Sequence, residues 1–445
     1  MKSNCKCNCN SKDIDTIVKE LMLSSDIDTK QKKFEKIREM AQEAGVFLAS
    51  INDFYLARGR GEISGFTVPA VNLRGLTYDL ARAIIRSAIK NKVGAFIFEI
   101  AKSEIAYTDQ RPYEYAGVCL AAALKEGFKG PVFVQGDHFQ VNIKKYKENP
   151  TKEMDNLKAI IKEAIASGFY NIDIDSSTLV DLNKLTILEQ QQDNYKVCAE
   201  LTKFIREVSP KGITVSVGGE IGEVGHKNST PEELRGFMEG YRKEYSGGVG
   251  ISKISVQTGT THGGVVLPNG KIAEVKIDFE TLRVLAQNAR DEFRMGGAVQ
   301  HGASTLPAEA FHTFAEVETA EVHLATEFQN MIYNNPSFPN NLKEKIYVWI
   351  KENLISEKKE KDTEEQFIYK SRKKAFGPFK KDLMELPQEV KANISKEIEN
   401  KFDFLFKELK VINTRDLVDK YIKEVNVSSQ GFTGNVAEND GEGDD

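Results

Sequence analysis

Between residues 66 and 324, short apolar runs alternate with longer stretches in which apolar residues return every three or four positions. The runs are Phe66–Asn72, Ala95–Ile100, Pro131–Asp137, Tyr170–Asp175, Ile213–Glu220, Ile251–Gln257, Gly297–His301 and Thr319–Leu324. Their length and continuous apolar character predict strands buried on both faces. The stretches between them predict helices over Leu76–Asn91, Pro112–Glu126, Lys152–Ser167, Leu188–Val208, Pro231–Tyr245, Phe279–Phe293 and Pro307–Phe314. Before the fifth helix stand Thr230, Pro231 and Glu233, a capping box with proline at the first helical position. Strands alternating with helices imply a parallel sheet. Eight such strands over a span near the usual size of about 250 residues predict a closed (β/α)8 barrel, a TIM barrel. A doubly wound open sheet is the competing topology. The number of strands and the positions of the polar residues favour the barrel.

The pattern divides the chain into four parts. Residues 1–65 read as a polar, partly helical lead-in, with helical spacing from Phe34 to Leu56. Residues 66–330 form the barrel. Residues 331–427 read as a helical extension, with apolar Ile346, Trp349 and Ile350 and later Phe402, Leu405 and Phe406, suited to an oligomer contact. Residues 428–445 are rich in Gly, Asn and acid without periodicity and read as a disordered tail.

Composition narrows the function classes. With 40% hydrophobic and 29% charged residues the chain is an ordinary soluble one. A net charge of −5 supplies no electrostatic case for nucleic acid or a membrane surface. No apolar run is long enough to span a bilayer, and the polar N-terminus has no signal-peptide core, so a cytoplasmic location is expected. Of five cysteines, Cys5, Cys7 and Cys9 alternate near the N-terminus and Cys119 and Cys198 stand alone, which argues against a disulfide framework. The alternating run lacks a fourth ligand at the usual spacing and reads as a reduced tail.

The chemistry concentrates at the C-terminal ends of the strands, which in a barrel converge on one mouth. Four of the six histidines fall there: His138, His262, His301 and His323. Three imidazoles around an open position form a catalytic coordination pattern for a zinc-like metal. Carboxylates gather at the same ends: Glu99, Asp137, Asp175 and Glu220. A carboxylate there must be paired, hydrogen-bonded or metal-bound to offset its desolvation. The turn Gly302-Ala303-Ser304-Thr305 opens a helix after the seventh strand, where barrels often bind phosphate.

Five segments, in order, resemble the class II fructose-bisphosphate and tagatose-bisphosphate aldolase family: GDH at 136–138, IDSS at 174–177, GGEIGEVG at 218–225, GTTHGG at 259–264 and HGAS at 301–304. The resemblance covers residues 66–329. It implies that His138, His262 and His301 hold the catalytic metal, Zn2+ or another divalent ion such as Mn2+ or Co2+. It implies that Asp137 is the acid/base, and that Asp175 and Glu220 lie around the metal and hold the displaced ion. Gly263, Gly302, Ser304 and Thr326 match substrate-phosphate contacts, with Ala303, His323 and Glu99 beside them. Where the family usually carries Asn-x-Asp-Thr near strand eight, this chain reads His323-Leu324-Ala325-Thr326. The expected activity is C3–C4 cleavage of a ketose phosphate or bisphosphate, such as fructose 1,6-bisphosphate, to dihydroxyacetone phosphate and an aldehyde. A small sugar phosphate and a second copy of the chain, as dimer or tetramer, are the expected partners. Three alternatives stay open: a sugar-phosphate 4-epimerase with the same bond cleavage, a Schiff-base enzyme using Lys253, and a non-catalytic accessory subunit.

Overall fold

The computed structural model describes residues 11–222, 227–259, 267 and 277–427. Nine parallel strands form one sheet: β1 (Val46–Ala49), β2 (Val68–Asn72), β3 (Ile97–Ala101), β4 (Gly130–Gln140), β5 (Asn171–Asp175), β6 (Ser216–Gly222), β7 (Lys253–Val256), β8 (Ala298–Gln300) and β9 (Glu321–Leu324). Strands β2 to β9 pair each with the next, and β9 pairs back onto β2, so they close a (β/α)8 barrel. All eight expected runs are strands of this barrel. The connecting helices follow the expected pattern, including the capping box, in which Thr230 and Glu233 exchange bonds with each other's backbone. Cys119 and Cys198 are buried, free thiols.

The N-terminal reading needs one correction. The spacing from Phe34 to Leu56 predicted helix, and the chain is helical over Ile27–Glu43 and Asn52–Gly59, but the strand β1 interrupts it between them. Gly45, at φ +74°, turns the chain in a conformation that side-chain-bearing residues seldom adopt. The next residues, Val-Phe-Leu-Ala, extend along the first part of β4, from Gly130 to Phe133. Strand β5 pairs with β4 only from Gln135 onward, so β1 covers the part of β4 that β5 leaves open. Asn171 sits at this junction. Its side chain accepts from the Ile51 amide (2.8 Å) and donates to the carbonyls of Ala49 (3.2 Å) and Val134 (2.9 Å).

Residues after 330 are mostly helical and pack onto the barrel wall. The helix Gln388–Glu408 lies along the helix Thr77–Lys90, where Asp403 receives Ser87 (2.7 Å), Lys90 (2.6 Å) and Asn91 (2.7 Å). Further on, the Leu409 carbonyl receives the Thr67 amide (2.9 Å), and Thr414 Oγ1 receives the amides of Gly94 and Ala95 (3.2 Å each). These bonds satisfy backbone groups at the entries to β2 and β3. The segments 1–10 and 428–445, with Cys5, Cys7, Cys9 and the expected disordered tail, lie outside the described residues.

Asn171→Ala removes three buried bonds at once and is expected to cost about 2–4 kcal/mol in denaturant-induced unfolding. An unchanged unfolding midpoint would show that the β1 junction is held by packing alone.

Candidate active site

Strand β4 departs from regular geometry where the chemistry begins. Its register with β5 moves from Gly136↔Ile172 to Phe139↔Ile174, so the β4 side carries one extra residue. His138 takes φ +40°, rare for a residue with a side chain. In a regular strand Asp137 and His138 would point to opposite faces. The bulge brings both into the mouth, where Asp137, His138 and His301 offer atoms within 4.8 Å of one another. The His138 and His301 rings lie 4.1 Å apart, and His301 and His323 are also 4.1 Å apart. His138 Nδ1 stands 3.5 Å from Asp175 and 3.4 Å from Glu220. His301 Nε2 meets the Ser255 hydroxyl at 2.9 Å.

Electrostatics separate these carboxylates. Burial pushes Glu220 up to about 8, with the charge of Asp175 adding to it and His138 opposing. Burial would also raise Asp137, but His138, His323 and His301 outweigh it and hold Asp137 well below its ordinary value. Burial alone would lower His138; the carboxylates of Glu220 and Asp137 reverse this and raise it. Among the described residues, no lysine or arginine bonds to Asp137, Asp175 or Glu220. Asp137, Asp175 and Glu220 therefore converge with the imidazoles of His138, His301 and His323, with no lysine or arginine bonded to these carboxylates among the described residues. That donor set fits a divalent cation with nitrogen and oxygen ligands. His262 and Gly263, the third expected ligand and a phosphate contact, lie outside the described residues.

Of the other expected contacts, the turn after β8 lies near the mouth, while Glu99 stands in register with Gln135, one layer below Asp137. Gly302, at φ +67°, and buried Ala303 follow β8. Ser304 Oγ accepts from the Glu327 amide at 3.4 Å, joining the turn after β8 to the helix that begins at Thr326. Glu99 is fully buried and accepts from Gln135 at 2.8 Å. His323 stands between two carboxylates, with Nδ1 3.1 Å from Asp137 and Nε2 2.6 Å from Glu321.

Beneath the mouth is a polar floor built on Lys253, whose sequence position suited pairing with an acid, and on Gln135, Asp173 and Glu321, which the sequence did not single out. Lys253, fully buried, donates to Gln135 (2.7 Å), Asp173 (2.9 Å) and Glu321 (2.5 Å). Glu321 also receives Gln135 (2.8 Å) and the Tyr55 hydroxyl. Burial favours a neutral Lys253, but Asp173 and Glu321 overcome it and raise its pKa. Held as an ammonium with three acceptors, it has no lone pair for Schiff-base chemistry. The missed signal was a two-residue period. Gln135 and Asp137, Asp173 and Asp175, Lys253 and Ser255, Glu321 and His323 are pairs two apart in otherwise apolar strands. In each pair the first residue serves the floor and the second the mouth.

The fold and site define a barrel protein with an acid–imidazole centre of metal-binding type. Residues 60–408 match the family model for fructose-bisphosphate aldolase class II, and the chain belongs to that family. Class II aldolases are generally metal-dependent. Among solved structures, the chain is similar to a probable tagatose 6 phosphate kinase from Sinorhizobium meliloti 1021, at 14% identity. That match covers 80% of this chain and 99% of the other, with a TM-score of 0.54. It is also similar to the fructuronate-tagaturonate epimerase UxaE from Cohnella laeviribosi, at 13% identity, 78% and 82% coverage and a TM-score of 0.54. A fructose-bisphosphate aldolase from Campylobacter jejuni matches at 17% identity, 83% and 96% coverage and a TM-score of 0.49. At these identities the likeness is one of fold. No curated protein matches the chain. Among the described residues, no helix is long and apolar enough to cross a membrane.

Purified protein is expected to carry about one divalent ion per chain, read by elemental analysis. Chelation should lower the melting temperature, and zinc, manganese or cobalt should restore it. A melting temperature indifferent to both treatments would count against a metal centre here.

Proposed function

We propose that this chain is a metal-dependent aldolase that cleaves and forms the C3–C4 bond of a ketose phosphate, giving dihydroxyacetone phosphate and an aldehyde. The observation that carries the reading is the bulge in β4. It sets a carboxylate, Asp137, beside an imidazole, His138, in a mouth where acids outnumber bases. His138, His262 and His301 would hold the ion, Zn2+ or a similar divalent cation, with Asp175 and Glu220 adjacent. Bound there, it would act as a Lewis acid and stabilise negative charge developing on the substrate C2 oxygen.

The remaining work falls to side chains and turns of this chain. Asp137, kept ionised by three surrounding histidines, accepts the proton of the C4 hydroxyl. The C4 oxygen becomes the aldehyde carbonyl as the C3–C4 bond breaks. The electron pair of that bond passes to the C2–C3 unit as an enediolate. The same carboxyl then returns the proton to C3, releasing the ketose fragment. Gly263, Gly302, Ala303, Ser304 and Thr326 would hold the phosphate, with backbone N–H groups and hydroxyls as donors. Glu99 and His323 line the inner wall. A cytoplasmic homo-oligomer acting on a small sugar phosphate, with no nucleic acid or membrane partner, fits this reading.

A second reading, C4 epimerisation, is favoured by Glu220. Pushed up to about 8, it is a second carboxyl able to carry a proton beside His138. Epimerisation would use the same cleavage and then re-form the bond after the aldehyde turns its other face. Incubation with ketohexose phosphates separates the two readings: triose release supports the aldolase, and the C4 epimer without triose supports the epimerase.

Asp137→Asn is expected to keep the metal and lower turnover by about 10²- to 10⁴-fold. Turnover equal to the parent enzyme, at equal metal content, would remove Asp137 from the mechanism.

A further inference from the structure

Asp137 is oriented from two sides, and one side leads out of the barrel. Its Oδ1 faces His323, and its Oδ2 accepts from Asn72 Nδ2 at 3.0 Å. The same Asn72 nitrogen donates to Glu104 Oε2 at 2.9 Å. Both neighbours of the amide are carboxylates, so only its NH2 end satisfies them, one hydrogen to each. Glu104 is buried and fixed in turn. Oε1 accepts from Arg74 Nε at 2.5 Å, and Oε2 accepts from the Ala101 amide at 3.0 Å. Arg74 also donates to Gln329 Oε1 at 3.1 Å.

Glu104 lies on the short helix Lys102–Tyr107, and Arg74 lies in the turn after β2. Residues of the C-terminal extension pack against both. A Cβ on Gly75 would meet the Phe376 ring at 2.2 Å, so the ring lies directly on the turn beside Arg74. A Cβ on Gly377 would meet the Tyr107 carbonyl oxygen at 2.4 Å, so the extension backbone lies against the end of the Glu104 helix. Lys373 sits 5.6 Å over the Tyr107 ring, and Lys380 bonds Glu114 at 2.7 Å on the next helix.

We propose that Glu104 is a positioning residue for Asp137, acting through Asn72, and that the C-terminal extension around Phe376 and Gly377 fastens it. The inference rests on the reading of Asp137 as the proton carrier. The physical requirement is directional. A carboxylate fixed by Arg74 and a backbone N–H accepts only, so it allows one orientation of the Asn72 amide. That orientation gives Asp137 a donor on Oδ2 and sets the direction of its remaining lone pairs. Without the negative charge at residue 104, the amide is free to turn its oxygen toward Asp137, which repels the carboxylate out of line. Misplacement of a reacting group by about 1 Å costs on the order of 10²-fold in rate.

The test uses the full-length, metal-loaded protein and two variants on opposite sides of the contact, Glu104→Gln and Phe376→Ala. Glu104→Gln is expected to lower kcat on the order of 10²-fold, with KM within about twofold and metal content unchanged. Phe376→Ala should lower kcat by a smaller factor. The double variant should lose less than the product of the two single losses, because both act on one element. Crystal structures of the metal-free parent and of Glu104→Gln provide a readout independent of turnover: the Asn72 amide and the Asp137 carboxylate should rotate together. An unmoved Asp137 in Glu104→Gln, or strictly multiplicative losses, would overturn the proposal. If Asp137→Asn retains full turnover while the structures still show the paired rotation, the aldolase reading fails and the positioning geometry stands.

Discussion

Six carboxylates share the interior of one barrel: Glu99, Asp137, Asp173, Asp175, Glu220 and Glu321. Removing an ionised carboxylate from water costs several kcal/mol unless opposite charge and hydrogen bonds replace the solvent. The floor and the mouth meet that cost differently. In the floor, Lys253 lies against Asp173 and Glu321, and Glu321 is held down to about 2 despite its burial. In the mouth the basic group beside Glu220 is His138, at 3.4 Å; burial and the charge of Asp175 outweigh it and push Glu220 up to about 8. Both groups are enclosed, yet they move in opposite directions: Lys253 and His323 outweigh burial at Glu321, while burial and Asp175 outweigh His138 at Glu220. In the floor one ammonium, Lys253, serves two carboxylates, Asp173 and Glu321. The mouth, among the described residues, gathers the nitrogen and oxygen donors that suit an ion.

The backbone reinforces the division. A left-handed residue with a side chain stores strain of about 1–3 kcal/mol and persists only where its surroundings enforce it. Here the residue is His138, and the enforcement comes from the sheet on both sides of β4, with β3 paired in register along Ile97–Ala101 and β5 paired around the bulge. The strain places a carboxylate and an imidazole from consecutive positions into the same space. A regular strand offers only alternate residues to one face, so Asp137 and His138 could not both face the mouth without it.

Much of this was legible in the sequence. The eight apolar runs, the helices between them and the clustering of His138, His301, Asp137, Asp175 and Glu220 at strand ends follow from periodicities of 2 and 3.6 and from the convergence of barrel strands. What stayed hidden depended on neighbours distant in sequence. Val46–Ala49 fits a helical spacing, and only the uncovered stretch of β4 makes it a strand. Lys253 looks the same in sequence whether it is a nucleophile or a counter-ion. The decision lies with Asp173, Gln135 and Glu321, which stand between 68 and 118 positions away from it. Glu104 had no signal at all, since its role depends on a turn after β2 and on residues some 270 positions later in the chain.

His323 joins the floor to the mouth, since it touches Glu321 below and Asp137 above. The sequence at the end of β9, His323-Leu324-Ala325-Thr326, is therefore tied to the floor beneath it. The surrounding carboxylates raise the pKa of His323, and as an imidazolium it donates from each ring nitrogen, to Asp137 and to Glu321. Glu321 in turn needs a cation, and Lys253 supplies it. Each member alone would leave a buried polar group without a counterpart, which is the costly arrangement. Together they keep Asp137 fixed by a donor on each oxygen, His323 on one and Asn72 on the other. Asp137 is thereby a held carboxylate next to the metal-type centre. A site built this way tolerates change at the end of β9 only when the floor changes with it.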